Sequence, residues 1–180
     1  ETLFLIDVSG SMGGASIRQA RKALGQAVDR LDPQDRFNLM AFHTDSRLWR
    51  QSFQLADAVH TQEAHSWIRG LEAEGGTEMH GAMLRAMTQF MNPAAAPAKI
   101  SRRIILITDA SIGNEDQLLR DTAHKLGDVR LHVVGIGSSP NRFLVKRLAS
   151  QGGGLSTFVN ASESAGQGMD RFLATINRPQ

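Results

Sequence analysis

The sequence predicts a doubly wound α/β domain with a mostly parallel six-stranded sheet and helices on both faces. Short continuous apolar runs, which are typical of strands buried on both faces, recur along the chain. Longer stretches with apolar residues at helical spacing alternate with them. The 180 residues, 41% of them hydrophobic, can bury the core of one such domain. We therefore expect residues 1–180 to form a single domain. Because a strand pattern begins at once after Glu1, we expect this domain to be part of a longer multidomain protein.

Three strands and three helices are predicted in the first half of the chain. In order, they are a strand over 2–6, a helix over 17–31, strands over 36–42 and 48–53, and helices over 56–71 and 79–90. Ser16 and Gln19 are spaced as a capping box for the first helix, and Asp32-Pro33 ends it. Gly75-Gly76 interrupts the chain before the third helix. The methionines at helical spacing there predict a core face: Met79, Met83, Met87 and Met91.

The second half begins with a Pro/Ala-rich loop over 92–98 and continues the strand–helix alternation. The predicted elements are a strand over 103–108, a helix over 116–126, a strand over 129–136, a helix over 140–150, a strand over 155–159, and a last helix that ends near Ile176. Pro140 is expected near the first turn of its helix, where proline is tolerated. Alternation of this kind predicts right-handed crossovers between parallel strands.

Composition excludes several classes of site. The chain has no cysteine, so neither disulfides nor thiolate metal sites are available. No apolar stretch is long enough to cross a membrane, so we expect no direct membrane insertion. The net charge is only +2 and the basic residues are dispersed without aromatic residues between them, so we expect no nucleic-acid partner. No pair of histidines has zinc-type spacing among His43, His60, His65, His80, His124 and His132.

Oxygen-bearing side chains follow the strands at one edge of the predicted sheet. Asp7 and Asp109 each come directly after an apolar run, where ligands of open α/β sheets bind. After Asp7 the chain continues with Ser9 and Ser11, whose alternate positions in a loop can direct two hydroxyls toward one point. Gly-Gly before Thr77 likewise lets a third hydroxyl approach closely.

These five side chains offer only hard oxygen ligands, which Mg²⁺ prefers. Two carboxylates about 4 Å apart repel by about 4 kcal/mol at an effective dielectric constant of 20, and a cation between them removes that repulsion. If one carboxylate binds directly and the other through water, the metal keeps positive charge and an open position. The sequence therefore predicts a cation site that accepts a carboxylate from outside.

The same residues carry a resemblance to a known family. Asp7-Val8-Ser9-Gly10-Ser11, Thr77 after Gly-Gly, and Thr108-Asp109 after a strand resemble the metal-ion-dependent adhesion site (MIDAS) of von Willebrand factor type A (VWA) domains. The resemblance covers nearly the whole chain and implies the Rossmann-like VWA fold. Four further stretches look most like the inter-alpha-trypsin inhibitor heavy-chain branch, which bacterial sortase-target-like surface proteins share: 35–39, 75–77, 112–115 and 135–137.

The resemblance implies a metal-binding, non-catalytic module for cell adhesion or protein–protein interaction. Asp7, Ser9, Ser11, Thr77 and Asp109 would bind Mg²⁺, with Mn²⁺ or Ca²⁺ as alternatives. The partner would be a protein that presents an Asp or Glu carboxylate, and the parent protein would lie at the cell surface or elsewhere outside the cytoplasm. Residues that we expect at the rim of the site are Gly10, Met12, Glu78, His80 and Ser111.

One departure from the family pattern concerns Ala110, which stands where the family usually has glycine. Alanine costs little there if φ is negative, but it could otherwise stiffen or reshape the metal loop.

Two other functions stay open at this point. The first is a structural or assembly module whose metal site is vacant or purely structural. The second is a Mg²⁺-dependent phosphotransfer enzyme, which could also use an aspartate at a strand end. However, an Asp-x-Asp phosphohydrolase would need a second acid at Ser9, and a receiver domain would need a lysine within 133–139. The glycine patterns of dinucleotide enzymes and serine hydrolases are incomplete.

Overall fold

The computed structural model shows a mostly parallel sheet with helices on both faces. It describes residues 1–91, 100–110, 115–159 and 165–176. The strands are β1 (Thr2–Asp7), β2 (Arg36–Phe42), β3 (Ser46–Leu48), β4 (Gln54–Leu55), β5 (Arg103–Thr108), β6 (Arg130–Ile136) and β7 (Gly153–Val159). The helices are α1 (Ala15–Asp29), α2 (Ala58–Arg69), α3 (Met79–Thr88), α4 (Glu115–Lys125), α5 (Arg142–Gln151) and α6 (Ala165–Ile176). A 3₁₀ turn over Gly10–Met12 lies between β1 and α1.

The strand order in the sheet is β3-β2-β1-β5-β6-β7, and β4 also pairs with β2. β1 is parallel to both β2 and β5, whereas the short β3 and β4 are antiparallel to β2. The chain first builds outward from β1 through β2 and then returns to build outward through β5 in the other direction. The order therefore reverses between β1 and β5, and the crevice at their carboxyl ends is the expected ligand site of such a sheet.

Two apolar cores lie on opposite faces of the sheet. Alternate residues of β1 supply both cores, since Phe4 and Ile6 face one and Leu3 and Leu5 face the other. The first core is closed by α1, α2 and α6, and the second by α3, α4 and α5. Because both faces are covered, β1 is buried along its whole length, which explains its continuous apolar run.

This architecture confirms the predicted fold class, with differences in detail. The strand predicted over 48–53 is two strands, so the described part of the sheet has seven. The buried side chain of Asn38 explains the interruption. Its amide donates to the Arg50 carbonyl at 2.9 Å and its oxygen accepts from the Arg50 amide at 3.2 Å, which draws the chain out of the ladder between β3 and β4.

Three local predictions were wrong. α1 begins at Ala15 after the N-cap Gly14, so Ser16 lies inside the helix and forms no capping box. The N-cap of α5 is Asn141, whose side chain accepts from the Leu144 amide, so Pro140 precedes the cap and lies outside the first turn. Met91 is 74% exposed beyond the end of α3, although Met79, Met83 and Met87 are core residues as predicted.

The loop predicted over 92–98 lies outside the described residues. In the described helices, none is both long and apolar enough to cross a membrane.

Candidate metal centre

Asp7 ends β1 and is completely buried. Its Oδ1 accepts a hydrogen bond from the Ser9 amide at 2.9 Å, and its Oδ2 accepts one from the Thr108 hydroxyl at 2.6 Å. Burial raises the pKa of Asp7, while the hydrogen bonds from Ser9 and Thr108 oppose that rise and the nearby charge of Asp109 adds to it. Among the described residues, no Lys, Arg or His pairs with this carboxylate. Asp7 is therefore a buried acid without a cationic partner among the described residues.

Ser9 and Ser11 bring two hydroxyls together beside Asp7. Their Oγ atoms lie 3.1 Å apart, and Ser9 is buried whereas Ser11 is exposed. The 3₁₀ turn between them is closed by the Met12 amide, which donates to the Ser9 carbonyl at 2.9 Å. The loop thus has a buried hydroxyl and a solvent-facing hydroxyl in contact.

The loop before Thr77 lies against the loop after β1. The Gly10 amide donates to the Gly75 carbonyl at 3.0 Å, and the Glu74 amide donates to the Val8 carbonyl at 2.8 Å. Gly75 has φ +70, and a Cβ there would lie 3.0 Å from Nδ1 of His43. Glycine is thus needed at this position both for backbone conformation and for space. Thr77 follows two residues later, half-buried, just before α3.

Asp109 follows β5, the neighbour of β1 in the sheet. Its side chain is partly buried, and its charge reaches Asp7, whose pKa it helps to raise. Its carbonyl accepts a hydrogen bond from the Asn141 amide at 3.1 Å, which ties the loop after β5 to the start of α5. The two carboxylates predicted to share the site therefore lie at the same edge of the sheet.

Ala110 adopts a left-handed backbone conformation with φ 57. Its amide donates to the Thr108 hydroxyl at 2.8 Å, and its side chain is fully buried in the second core. For a residue with a Cβ this region costs roughly 1–2 kcal/mol. The condition of negative φ, under which alanine would be harmless here, is thus not met, and the loop carries backbone strain.

The residues expected at the rim of the site differ in their exposure to solvent. Gly10 and Glu78 are exposed, but Met12 is completely buried because the 3₁₀ turn directs its side chain into the first core. Met12 is therefore not a rim residue. His80 is half-buried and its Nε2 lies 2.7 Å from Oδ2 of Asp121 on α4. Ser111 lies outside the described residues.

Thr108 is the residue whose role sequence reasoning missed. Its hydroxyl donates to Asp7 and accepts from Ala110, so it links the loops after β1 and β5. The available signal was a single hydroxyl at the carboxyl end of a strand that is apolar from Ile104 to Ile107.

The donor set fits a hard cation better than a soft one. It consists of two carboxylates and three hydroxyls, which suits Mg²⁺, Mn²⁺ or Ca²⁺. In the described ranges there is no cluster of three or more His, Cys, Asp or Glu side chains that could hold a metal ion. The buried, uncompensated charge of Asp7 is what a cation at this edge would neutralise.

Comparisons with known proteins agree with this fold. The family model described as "von Willebrand factor type A domain" matches residues 1–158. The inter-alpha-trypsin inhibitor heavy chain H4 of Homo sapiens is 31% identical over 186 residues, which cover 98% of this chain and 20% of that protein. The chain thus spans about a fifth of the length of the curated relatives it matches.

Two solved structures with the same fold are informative. A von Willebrand factor type A structure from Catenulispora acidiphila matches with a TM-score of 0.83 at 22% identity. The match covers 96% of this chain and 41% of that chain. The manganese-loaded TRAP protein of Plasmodium vivax matches with a TM-score of 0.70 at 21% identity. The match covers 96% of this chain and 72% of that chain.

Proposed function

The chain belongs to the von Willebrand factor type A domain family, and from that premise we propose that it is a divalent-cation-dependent protein-binding module. Asp7, Ser9, Ser11, Thr77 and Asp109 would hold the cation. When bound, the ion would supply an electrophilic position for an Asp or Glu carboxylate of a partner protein. The module itself would bind and release that partner and would catalyse no reaction.

The observation that carries this proposal is the buried carboxylate of Asp7, which pairs with no described Lys, Arg or His. Removing a charged group from water is unfavourable unless an opposite charge or hydrogen bonds compensate it. The amide of Ser9 and the hydroxyl of Thr108 give partial compensation, yet the pKa of Asp7 is still raised and Asp109 adds a second negative charge nearby. A divalent cation would relieve both effects at once. Support also comes from the manganese-loaded state of the TRAP protein, which shares the fold.

The choice of Mg²⁺ follows from the small number of charged ligands. Mg²⁺ commonly keeps several waters and binds through one or two carboxylates, whereas Ca²⁺ takes six to eight oxygens. The two carboxylates and three hydroxyls proposed here match the coordination of Mg²⁺ more closely than that of Ca²⁺. Mn²⁺ is the natural substitute, and Ca²⁺ is the least favoured of the three.

The metal-binding step is tested by calorimetric titration of the chain with MgCl₂, MnCl₂ and CaCl₂. Asp7→Asn and Asp109→Asn each remove one negative charge from the site and should weaken Mg²⁺ binding at least about tenfold, or about 1.4 kcal/mol. Asp128→Asn is the matched control, because its side chain is 72% exposed and lies before β6 at the opposite edge of the sheet. Equal affinity of all four proteins, with folding verified by circular dichroism, would defeat the proposal.

Partner binding is tested on an array of short synthetic peptides with Asp, Glu, Asn or Lys at the central position. We expect the chain to bind Asp- or Glu-centred peptides in Mg²⁺ and to lose them in EDTA. Peptides centred on Asn or Lys serve as controls and should not bind. Peptide binding that is unchanged by EDTA, together with intact Mg²⁺ affinity, would instead favour a structural metal site.

An assembly module with a vacant or purely structural metal site is the second candidate, and one observation favours the vacant site. Both carboxylate oxygens of Asp7 already have an internal hydrogen-bond donor, so the loops after β1 and β5 are held together without a ligand. Hydrolysis of a generic phosphate ester, lost in Asp7→Asn, is the outcome that would favour the phosphotransfer alternative.

We also propose that the parent protein exposes this domain at the cell surface or elsewhere outside the cytoplasm, where adhesion to other proteins takes place. The domain would then be cleaved by an added protease in intact cells that express the parent protein, whereas a cytoplasmic marker would stay protected. Protection of both until lysis would argue for an intracellular assembly role.

A further inference from the structure

The solvent-facing side of α5 carries positive charge and an exposed aromatic ring. Its outward residues, which we name the α5 strip, are Arg142, Phe143, Lys146 and Arg147. No Asp or Glu occurs anywhere from Asn141 to Gln151, although the whole chain has a net charge of only +2. In the part of the chain that the structure describes, none of the three cations forms an ion pair. The strip is thus a local concentration of positive charge with which no described acidic side chain forms an ion pair.

The stability of the helix does not account for this composition. A cation in the first turn opposes the helix dipole, so Arg142 is placed unfavourably for α5 itself. Phe143, next to it, is 62% exposed, which leaves a large apolar ring in water. Both charged ends of the strip are nevertheless held in position, because the Arg142 guanidinium lies 4.0 Å from the ring centre of Phe158 and that of Arg147 lies 5.5 Å from the ring centre of Phe143.

The strip starts at the metal edge of the sheet. The Asn141 amide donates to the Asp109 carbonyl, and the Asn141 side chain donates to Glu115 at 2.8 Å. Just before the strip, Gly137 lies against the start of α1, since a Cβ on Gly137 would be 3.0 Å from the Ser16 hydroxyl. From there α5 runs toward the opposite edge, where its C-cap Gly152 packs on Leu131 at the start of β6. A partner that extends from the metal site can therefore continue along the strip.

We propose that the α5 strip is the second half of the partner site and binds an acidic protein segment that also carries an apolar side chain. This inference rests on the proposed function, because the partner's first carboxylate is taken to bind at the metal. A second acidic residue of the same segment contacts Arg147 and Lys146, and an apolar residue covers the ring of Phe143. Aromatic and arginine side chains are the residue types that most often dominate binding at protein interfaces.

An acidic protein segment fits better than a polyanion such as a sulfated polysaccharide. The strip combines its cations with an exposed phenyl ring, which an apolar side chain of a protein segment can cover while an acidic side chain of the same segment pairs with a cation. Its position next to Asp109 also favours a partner that offers a single carboxylate at one end. An extended peptide spans about 3.3 Å per residue, so about six residues reach from the metal edge along the first turns of α5.

The test uses peptides with a fixed Asp, followed within about six positions by Leu or Phe and a further Glu, or by Ser and Lys instead. In Mg²⁺, the chain should bind the Leu/Glu and Phe/Glu peptides at least about tenfold more tightly than the Ser/Lys peptides. Phe143→Ser combined with Arg147→Glu should abolish that preference. The same variant should keep its affinity for MgCl₂, since neither side chain belongs to the metal site.

Matched controls lie away from the metal edge or on the other face of the sheet. Val59→Ser removes an exposed apolar side chain from the first turn of α2, and Lys22→Glu makes the same charge change as Arg147→Glu on α1. Both controls should retain the preference for the Leu/Glu peptides. An equal loss in controls and strip variants would reveal a non-specific charge effect and overturn the proposal.

The remaining outcomes separate this inference from the proposed function. If Mg²⁺-dependent peptide binding persists unchanged in the strip variant, only the α5 strip is refuted. If the wild-type chain binds no peptide in Mg²⁺, the proposed function fails and the strip inference fails with it. Binding of heparin in EDTA that depends on Phe143 and Arg147 more than peptide binding does would replace the acidic protein segment by a polyanion.

Discussion

Among single residues, Ala110 shows how backbone strain and side-chain packing are combined at the proposed site. Its amide is bound by the Thr108 hydroxyl, which in turn donates to the buried carboxylate of Asp7. The left-handed conformation of Ala110 is thereby coupled to the hydrogen bonding of Asp7. The methyl group is fully buried in the second core, so its packing offsets part of the strain.

A pair of substitutions at Ala110 separates these two effects. Ala110→Val should lower the free energy of unfolding by about 2 kcal/mol or more, because a β-branched side chain at φ 57 adds strain and overpacks the core. Ala110→Gly should change it by less than about 1 kcal/mol, since relief of strain is offset by the lost burial of one methyl group. Urea unfolding of the three proteins measures both values. A tolerated valine would show that the loop relaxes out of the left-handed region.

The sequence could predict Asp7, Ser9, Ser11 and Asp109 as candidate ligands because their spacing after strands is a local pattern. It could not reveal the role of Thr108, since that hydroxyl acts on a residue in another strand, or the φ of Ala110, which depends on how the loop after β5 closes. Met12 was misjudged for a related reason. A hydrophobic residue in a glycine-rich loop could point outward, and only the 3₁₀ turn sends it into the core.

Among secondary-structure elements, the junction of β6 and β7 depends on a neutral histidine. His132 is buried at a register shift between the two strands, and its Nδ1 accepts a hydrogen bond from the Leu155 amide at 3.1 Å. Its ring also packs edge-on against Phe172 of α6 at 5.9 Å. Burial lowers the pKa of His132 to about 4, with Arg103 and Arg130 adding to that effect. An imidazolium would lose the Leu155 hydrogen bond, because it has no free acceptor nitrogen.

The stability of the fold should therefore decline as the pH falls from about 6.5 to about 4. In that range the unfolded chain binds a proton at His132 and the folded chain does not, so stability increases with pH and reaches its full value above 6.5. The contribution is at most about 3.5 kcal/mol, from a pKa lowered from 6.5 to about 4 and about 1.4 kcal/mol per pKa unit. Chemical unfolding between pH 4 and 7.5 tests this, at roughly half-unit steps.

Two variants make the pH experiment specific. His132→Gln keeps an acceptor for the Leu155 amide but cannot titrate, so most of the slope between pH 4 and 6.5 should disappear. His124→Gln, at an exposed position in the last turn of α4, should leave the slope unchanged. A slope that survives in His132→Gln would assign the pH dependence to other groups.

The type and order of the elements could be predicted from the sequence, whereas several boundaries could not. Apolar runs define β1, β2, β5 and β6 because both of their faces are buried. The division between β3 and β4 depends on hydrogen bonds of Asn38 from a neighbouring strand, which no local pattern contains. The first residues of β7 were missed because two glycines open it. Position 154 has no room for a side chain, because a Cβ on Gly154 would lie 2.1 Å from the Leu131 carbonyl oxygen and clash with it.

For the whole molecule, the topology decides where the distant loops meet. The loops after β1 and β5 are adjacent only because the strand order reverses between these two strands. The loop before α3 joins them through the hydrogen bond from Gly10 to Gly75. The proposed ligands therefore come from three segments that have no reason to be close in an unfolded chain. An ion that binds all three at once would bind the folded state in strong preference to the unfolded state.

This difference predicts that Mg²⁺ stabilises the domain as a whole. At a free Mg²⁺ concentration of 100 times its dissociation constant, the free energy of unfolding should rise by about 2.7 kcal/mol. Urea unfolding in MgCl₂, compared with NaCl of matched ionic strength, isolates that effect from general salt screening. Asp109→Asn should remove about half of that gain or more although Asp7 and both serines remain, because the ion would no longer join the segment after β5 to the segment after β1. If Asp109→Asn gained as much stability as the wild-type chain, Mg²⁺ would be bound within one loop, and the three segments would not share it.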